Sequence, residues 1–213
     1  MVKKIKELER EIKKLSDIIN HKNKDIAKLQ IVADYDFLTG LYNRRGFIVE
    51  AEKFISEAKH SDHEYKQKRR LNINNFSIIF IDLDNLKTIN DVYGHKIGDK
   101  FIKVAADVFK NSLREFDIVS RWGGDEFIIG LVDANEDEAL KVANKIKAKL
   151  SKAKISKVKK DHKFTASFGV ISAKSKKRKN VIFNLYELIE KADMAMYDAK
   201  KNKGKNFIIL LDK

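Results

Sequence analysis

Residues 118–132 read IVSRWGGDEFIIGLV, and the rest of the chain is best read outward from this stretch. Runs of β-favouring residues, too short for helices, flank Gly123 and Gly124, which is the pattern of a β-hairpin turning on a glycine pair. Glycines there are expected to supply the positive φ of a tight turn and, lacking a Cβ, to let the backbone approach a ligand closely. Asp125 and Glu126 follow directly, so the hairpin carries carboxylates at its tip.

Upstream, FSIIFIDL (76–83) reads as a buried strand that ends on acids, Asp82 and Asp84. A helix is predicted from about Asp99 to Arg114, and further helices from Glu136 to Lys152 and from Val181 to Lys200. Strands are predicted at Phe164–Ile171 and Phe207–Leu211, completing an α/β order without internal repeats. DFLTGLYNRRGF (36–47) signals a turn at Thr39 and Gly40, an amphipathic run FIVEAEKFISEA (47–58) follows, and the basic stretch from Lys59 to Asn75 reads as loop.

The first 33 residues have another pattern. Ile5, Ile12, Ile19 and Ile26 occupy the a positions of a heptad and Leu8, Leu15 and Leu29 its d positions, with Lys22 as a lapse. Isoleucine at a with leucine at d favours a parallel two-stranded coiled coil. The plain alternative is an amphipathic helix folded back on its own domain, which a seam only two positions wide fits less well. The chain therefore divides into a coiled-coil dimerisation helix (1–33) and one globular domain (34–213). Four heptads alone are marginal, so a homodimer would need support from elsewhere.

With 43% hydrophobic residues among 213, one good core is affordable. The net charge of +14 raises nucleic acid, anionic membrane or phosphate-bearing small molecules as partners, although the lysines are spread along the whole chain as on a solvated surface. The absence of cysteine excludes disulfides, thiolate metal sites and a cysteine nucleophile. No apolar run reaches the ~20 residues of a membrane span, and the charged MVKKIKELEREIKK start is not a signal core, so a soluble cytoplasmic chain is expected. The lack of proline has no functional reading.

Adjacent carboxylates repel unless a proton or cation intervenes, so Asp82, Asp84, Asp125 and Glu126, brought together at strand ends, suggest a hard divalent cation with oxygen ligands. From spacing alone, solvated turn acids are the favoured explanation. A wider match separates the two. Gly123-Gly124-Asp125-Glu126-Phe127 resembles the signature of the GGDEF family of diguanylate cyclases, and so do IDLDNLKTINDVYGHKIGDKFI (81–102), DFLTGLYNRR (36–45), TASFGV (165–170) and DMAMYDAKKNKGKN (193–206). The resemblance implies an α+β sandwich of nucleotidyl-cyclase or polymerase-palm type, with a mostly antiparallel central sheet flanked by helices. It also implies condensation of two GTP into cyclic di-GMP with Mg²⁺ or Mn²⁺, two per site.

Carried over by position, the resemblance makes Asp82, the Leu83 carbonyl and Asp125 metal ligands, with Glu126 holding metal or deprotonating the ribose 3′-hydroxyl. Gly123 and Gly124 would face the triphosphate, and Asn90 and Asp99 would read guanine. A carboxylate accepts the paired N1–H and N2–H donors that adenine lacks, which favours GTP over ATP; as a plain alternative, Asp99 is a helix N-terminal acid. Lys87, Lys200 and Lys205 would face phosphate. Here the chain departs from the family: three residues separate Lys200 from Gly204 where two are usual, so the clamp starts at Lys201 or the helix end is distorted. Leu86 stands where phenylalanine is common, a mild change.

Arg114-Glu115-Phe116-Asp117 lies five residues before the glycine pair, where the family has its RxxD product-inhibition site, with Arg121 or Lys145 as candidates to complete it. A helix-end salt bridge is the plain alternative. In the family each domain holds one GTP and two domains must face each other, so the coil would raise the local concentration of the halves. Competing readings are a catalytically silent cyclic di-GMP receptor, a nucleic-acid binder resting on the charge and on Arg69 and Arg70, and a cyclase making an adenine-containing product; the intact acids, the sparse aromatic and basic interleaving, and Asp99 respectively argue against them.

Overall fold

The computed structural model describes residues 2–59, 74–156, 158–159, 163–174, 184–202 and 204–211. The heptad stretch forms one helix, α1 (Val2–Asp34), and the amphipathic run after the Thr39–Gly40 turn forms α2 (Arg44–Lys59). Arg69, Arg70 and most of the expected basic loop lie outside the described residues, as does the expected start of the C-terminal helix at Val181.

Among the described residues, five strands make one sheet in the order β2-β3-β1-β4-β5. The central strand β1 (Asn75–Leu83) pairs antiparallel with β3 (Glu126–Val132) and with β4 (Ala166–Lys174). The quoted stretch is the expected hairpin, β2 (Ile118–Arg121) against β3, and β5 (Ile208–Leu210) adds parallel to β4. The architecture is thus the mostly antiparallel sheet flanked by helices that the resemblance implied.

β1 is buried from Phe76 to Leu83 and mostly apolar because both sheet faces are covered. Ile79, Ile81 and Leu83 pack with Phe101, Phe109, Ile146 and Phe164, whereas Phe76, Ile78 and Phe80 pack with Phe47, Ile55, Leu188 and Ala192. Each such side chain taken from water contributes about 1.5–3 kcal/mol, so this alternation is what fixes the register of the strand and which way Asp82 points. α5 (Glu136–Leu150) opens with a capping box between Asn135 and Glu138.

One expected element is corrected. The helix read from Asp99 to Arg114 is α4 (His95–Lys110), and a separate α3 (Leu86–Tyr93) precedes it, the break falling at Gly94 with φ 81°. The apolar period runs on through both helices, so only the left-handed glycine marks the boundary.

Candidate active site

Asp82, the penultimate residue of β1, lies opposite Glu126 in the ladder. Leu83 N–H donates to the Asp125 carbonyl at 2.9 Å, and the Trp122 and Gly123 N–H groups donate to the Glu126 carbonyl at 2.8 and 3.3 Å. These bonds close the hairpin tip onto the strand end. Asp82, Leu83, Asp125 and Glu126 thereby meet at one end of the sheet.

Asp82 is only 5% exposed. Lys200 of α6 (Leu185–Asn202) donates to its two carboxylate oxygens at 2.8 and 2.7 Å. Burial pushes the Asp82 carboxyl up to about 6 against the pull of Lys200, and the charges of Asp125 and Asp84 push the same way. Burial also raises Glu126, followed by the charges of Asp193 and Asp125. For Lys200 burial acts downward, but the bond to Asp82 and the surrounding acids outweigh it and the ammonium is held above its ordinary range.

Lys201 turns away, donating to the Tyr197 hydroxyl at 3.0 Å on the exposed side of α6. The unusual spacing before Gly204 therefore leaves Lys200 at the acids. Lys205 donates to Asn85 Oδ1 at 2.7 Å, and Lys87 is exposed in the first turn of α3. Among the described residues no three acidic or histidine side chains converge as a ready-made cage. What is present, a carboxylate gripping a cation with both oxygens beside two further acids, fits a hard divalent ion that shares its remaining ligands with phosphate.

One of the two reasons expected for the glycine pair, positive φ, is corrected. The glycines with positive φ are Gly40, Gly94 and Gly204, not Gly123 or Gly124. Gly123 leaves room for the acid: a Cβ there would stand 2.6 Å from Glu126 Oε2 and make that carboxylate shift. A Cβ at Gly124 would meet open space.

Asn90 on α3 and Asp99 on α4 come together through a residue the sequence reading passed over. A Cβ on Gly98 would lie 1.8 Å from Asn90 Oδ1, so glycine at this position leaves the Asn90 amide against the turn of α4 that carries the exposed Asp99, where a larger residue would make it shift. The signal was present as the glycine inside a helical pattern, which is tolerated mainly for close packing.

At the RxxD segment, Asp117 accepts from the Arg114 N–H at 2.9 Å and from the Val132 N–H at 3.3 Å, while Arg114 is exposed. Burial raises the Asp117 carboxyl, and those backbone donors oppose it. Lys145 donates to the Ser112 carbonyl at 2.9 Å, two residues from Arg114. Arg121 is committed elsewhere: its guanidinium bonds both Asp36 oxygens (3.4 and 3.3 Å) and the Gly124 carbonyl (3.3 and 2.8 Å). Of the two candidates to complete that segment, only Lys145 lies beside it.

With this geometry in place the comparisons are decisive. The family model described as diguanylate cyclase, GGDEF domain, matches residues 33–206. This chain belongs to the GGDEF family. Diguanylate cyclase DgcM of Escherichia coli (strain K12) is 33% identical over 182 residues, 85% of this chain and 39% of that protein. Signaling protein YkoW of Bacillus subtilis (strain 168) is 39% identical over 178 residues, 82% of this chain and 20% of that protein. The chain thus spans well under half the length of these relatives. Among solved structures, the coiled coil and GGDEF domain of DgcB from Caulobacter crescentus, in complex with c-di-GMP, superposes with a TM-score of 0.77 at 21% identity, covering 96% of this chain and 99% of that one. At that identity the likeness speaks for the fold. The active GGEEF domain of a diguanylate cyclase from Vibrio cholerae has a TM-score of 0.65 at 26% identity, covering 80% and 97%.

Within this GGDEF domain, two further residues support the signature hairpin and escaped the sequence reading. Trp122 stands edge-on to Phe47 and Phe80, with centroids 5.9 and 6.0 Å away, and under the Arg44 guanidinium at 4.6 Å. Its indole anchors the hairpin tip in the core; a lone tryptophan beside the glycine pair was the available signal. Asp36, through Arg121, ties the tip to the turn after α1. An open recess of about 510 Å³ lies between the Asn43–Arg45 segment and Trp122–Gly124.

Proposed function

We propose that this GGDEF domain is a diguanylate cyclase, condensing two GTP into cyclic di-GMP and two pyrophosphates across a homodimer. The observation that carries the reading is the meeting of Asp82 and Leu83 with the intact Asp125–Glu126 hairpin under Lys200. Asp82, the Leu83 carbonyl, Asp125 and Glu126 would hold Mg²⁺ or Mn²⁺, two per site, which when bound neutralise the triphosphate and activate the attacking hydroxyl. Asn90 and Asp99 accept from guanine, and the open space at Gly124 admits the triphosphate backbone. Lys87, Lys200 and Lys205 supply cations to the phosphates. Glu126, its carboxyl raised by burial, would hold metal or take the 3′-hydroxyl proton.

Residues 1–33 serve as the dimerisation coil and 34–213 as the catalytic domain. The seven apolar a and d residues of α1 are 49–69% exposed in the single chain, which supports a second helix as their cover. Among the described residues no helix is long and apolar enough to cross a membrane, and GTP as substrate places the work in the cytoplasm. Arg114 and Asp117, with Lys145, form the product-inhibition site.

The test is incubation of purified protein with GTP and Mg²⁺, following nucleotides by chromatography beside Asp125→Ala. Cyclic di-GMP from the native chain alone is the expected result. No product together with tight binding of added cyclic di-GMP would favour the second reading, a silent receptor using Arg114, whose exposed guanidinium leaves that site open.

A further inference from the structure

Four carboxylates, Asp82, Asp84, Asp125 and Glu126, crowd the end of the sheet, and Asp84 is committed differently from the others. Asp84 is 1% exposed. Its Oδ2 accepts from Thr165 Oγ1 at 2.8 Å and from the Asn206 N–H at 3.0 Å, its Oδ1 accepts from Ser167 Oγ at 2.9 Å, and its own N–H donates to the Thr165 carbonyl at 2.9 Å. A carboxylate offers about four acceptor directions, so three protein donors leave it little capacity for a cation. Asp82 is the contrast, with Lys200 on both of its oxygens.

What Asp84 holds is a turn that would not hold itself. Gly204, Lys205 and Asn206 have φ of 88°, 69° and 57°, so two non-glycine residues in succession sit in the left-handed region. Such a conformation is costly for L-residues and persists only where its surroundings enforce it. Asn206 Oδ1 is buried without a hydrogen-bond donor, so its side-chain oxygen does not fasten the turn. The fastenings that are present run to the loop after β1: the Asn206 N–H to Asp84, and Lys205 Nζ to Asn85 Oδ1 at 2.7 Å. The strained turn thus delivers Lys205 to Asn85, the residue that follows Asp84 at the start of α3.

We infer that Asp84 is a positioning residue, not a metal ligand: it clamps the Gly204–Asn206 turn so that Lys205 stands at the phosphates. The inference rests on the cyclase reading for the identity of the phosphate. It predicts a separation of metal binding from substrate binding that neither a ligand nor a purely structural carboxylate would give.

The experiment uses the full chain, with native turnover of GTP established first. Mn²⁺ affinity is measured by titration calorimetry with neither nucleotide nor pyrophosphate present, and KM and kcat for GTP are measured in parallel. For Asp84→Asn we expect KM to rise about tenfold with kcat within about threefold, and Mn²⁺ affinity to stay within about twofold of native, while Asp82→Asn loses Mn²⁺. Lys205→Ala should reproduce the KM defect, and the double variant should be no worse than either single one, because both act through the same side chain. Asn206→Gly, which removes the left-handed cost at one position, should recover part of the Asp84→Asn loss. Loss of Mn²⁺ affinity in Asp84→Asn comparable to Asp82→Asn, or KM effects that multiply in the double variant, would overturn the proposal. Where Asp84→Asn does not fold, Thr165→Val takes one donor from the carboxylate and carries the test: a KM rise of about two- to threefold with unchanged Mn²⁺ binding supports the clamp, and unchanged KM overturns it. If the native chain makes no cyclic di-GMP, the cyclase reading fails by itself, and pyrophosphate affinity replaces KM as the readout for Asp84 and Lys205, with the same outcomes supporting or overturning the clamp.

Discussion

At the scale of residues, Lys200 and Asp82 exchange partners if the site works as proposed. The Lys200 ammonium sits where a metal would neutralise Asp82; a triphosphate would offer it a better counter-charge and free the carboxylate. Lys200→Met should therefore bind Mn²⁺ more tightly than the native chain without nucleotide, by roughly threefold to tenfold, given about 1 kcal/mol for a partly exposed pair, while its GTP affinity falls. Electron paramagnetic resonance of free Mn²⁺ reads the first effect directly, and an unchanged or weaker metal affinity would rule out the exchange. The Asp82 carboxyl, raised to about 6 chiefly by burial, adds a pH dependence. Protons compete with metal, so Mn²⁺ binding should fall steeply as pH drops through about 6. The sign for stability is opposite: the folded chain holds this proton more tightly than the unfolded chain, so in the absence of metal Asp82 costs stability as pH rises from the ordinary carboxylate range to about 6. Asp82→Asn should abolish that decline in thermal unfolding.

At the scale of elements, the approach of α3 to α4 sets where Asn90 stands. Because a Cβ at Gly98 would overlap Asn90 Oδ1, Gly98→Ala must push the helices apart or swing the asparagine aside. A displacement of about 1 Å at a substrate-positioning residue costs on the order of 10²-fold, so KM for GTP should rise by about ten- to a hundredfold while Mn²⁺ binding with pyrophosphate is unaffected. Equal loss of both would point to collapse of the domain instead. The hairpin obeys a similar logic. Its tip is fixed by Trp122 from the core side and by Arg121 from the α1 side, which leaves the acids on a rigid support.

At the scale of the whole molecule, the helix carrying the heptad is continuous into the domain. Asn43 donates to the Asp34 carbonyl at 2.8 Å, Arg45 pairs with Asp34, and Asp36 reaches the hairpin through Arg121. Two domains tethered by a short coil meet at an effective concentration in the millimolar range. Polar replacement of Ile12 and Ile19 should lower specific activity at nanomolar enzyme while leaving GTP binding intact, and light scattering should show monomer. Undiminished turnover at that dilution would remove the coil from the mechanism.

The sequence by itself determined the hairpin, the buried central strand, the heptad helix and the family, because each is written in a local period or a contiguous motif. It also placed Asp82, Asp125, Glu126 and Lys200 in one candidate site, since motif order carries position. What tertiary structure decided was division of labour. Asp82 and Asp84 look alike in IDLD, yet one accepts a cation and the other a turn, because partners 81 to 122 residues away choose between them. Gly98 and Gly123 are glycines for reasons that exist only once Asn90 and Glu126 are packed against them. Arg121 belongs to the hairpin tip and not to the RxxD segment for the same reason: strand register and helix packing, which no local pattern encodes, set where a side chain ends.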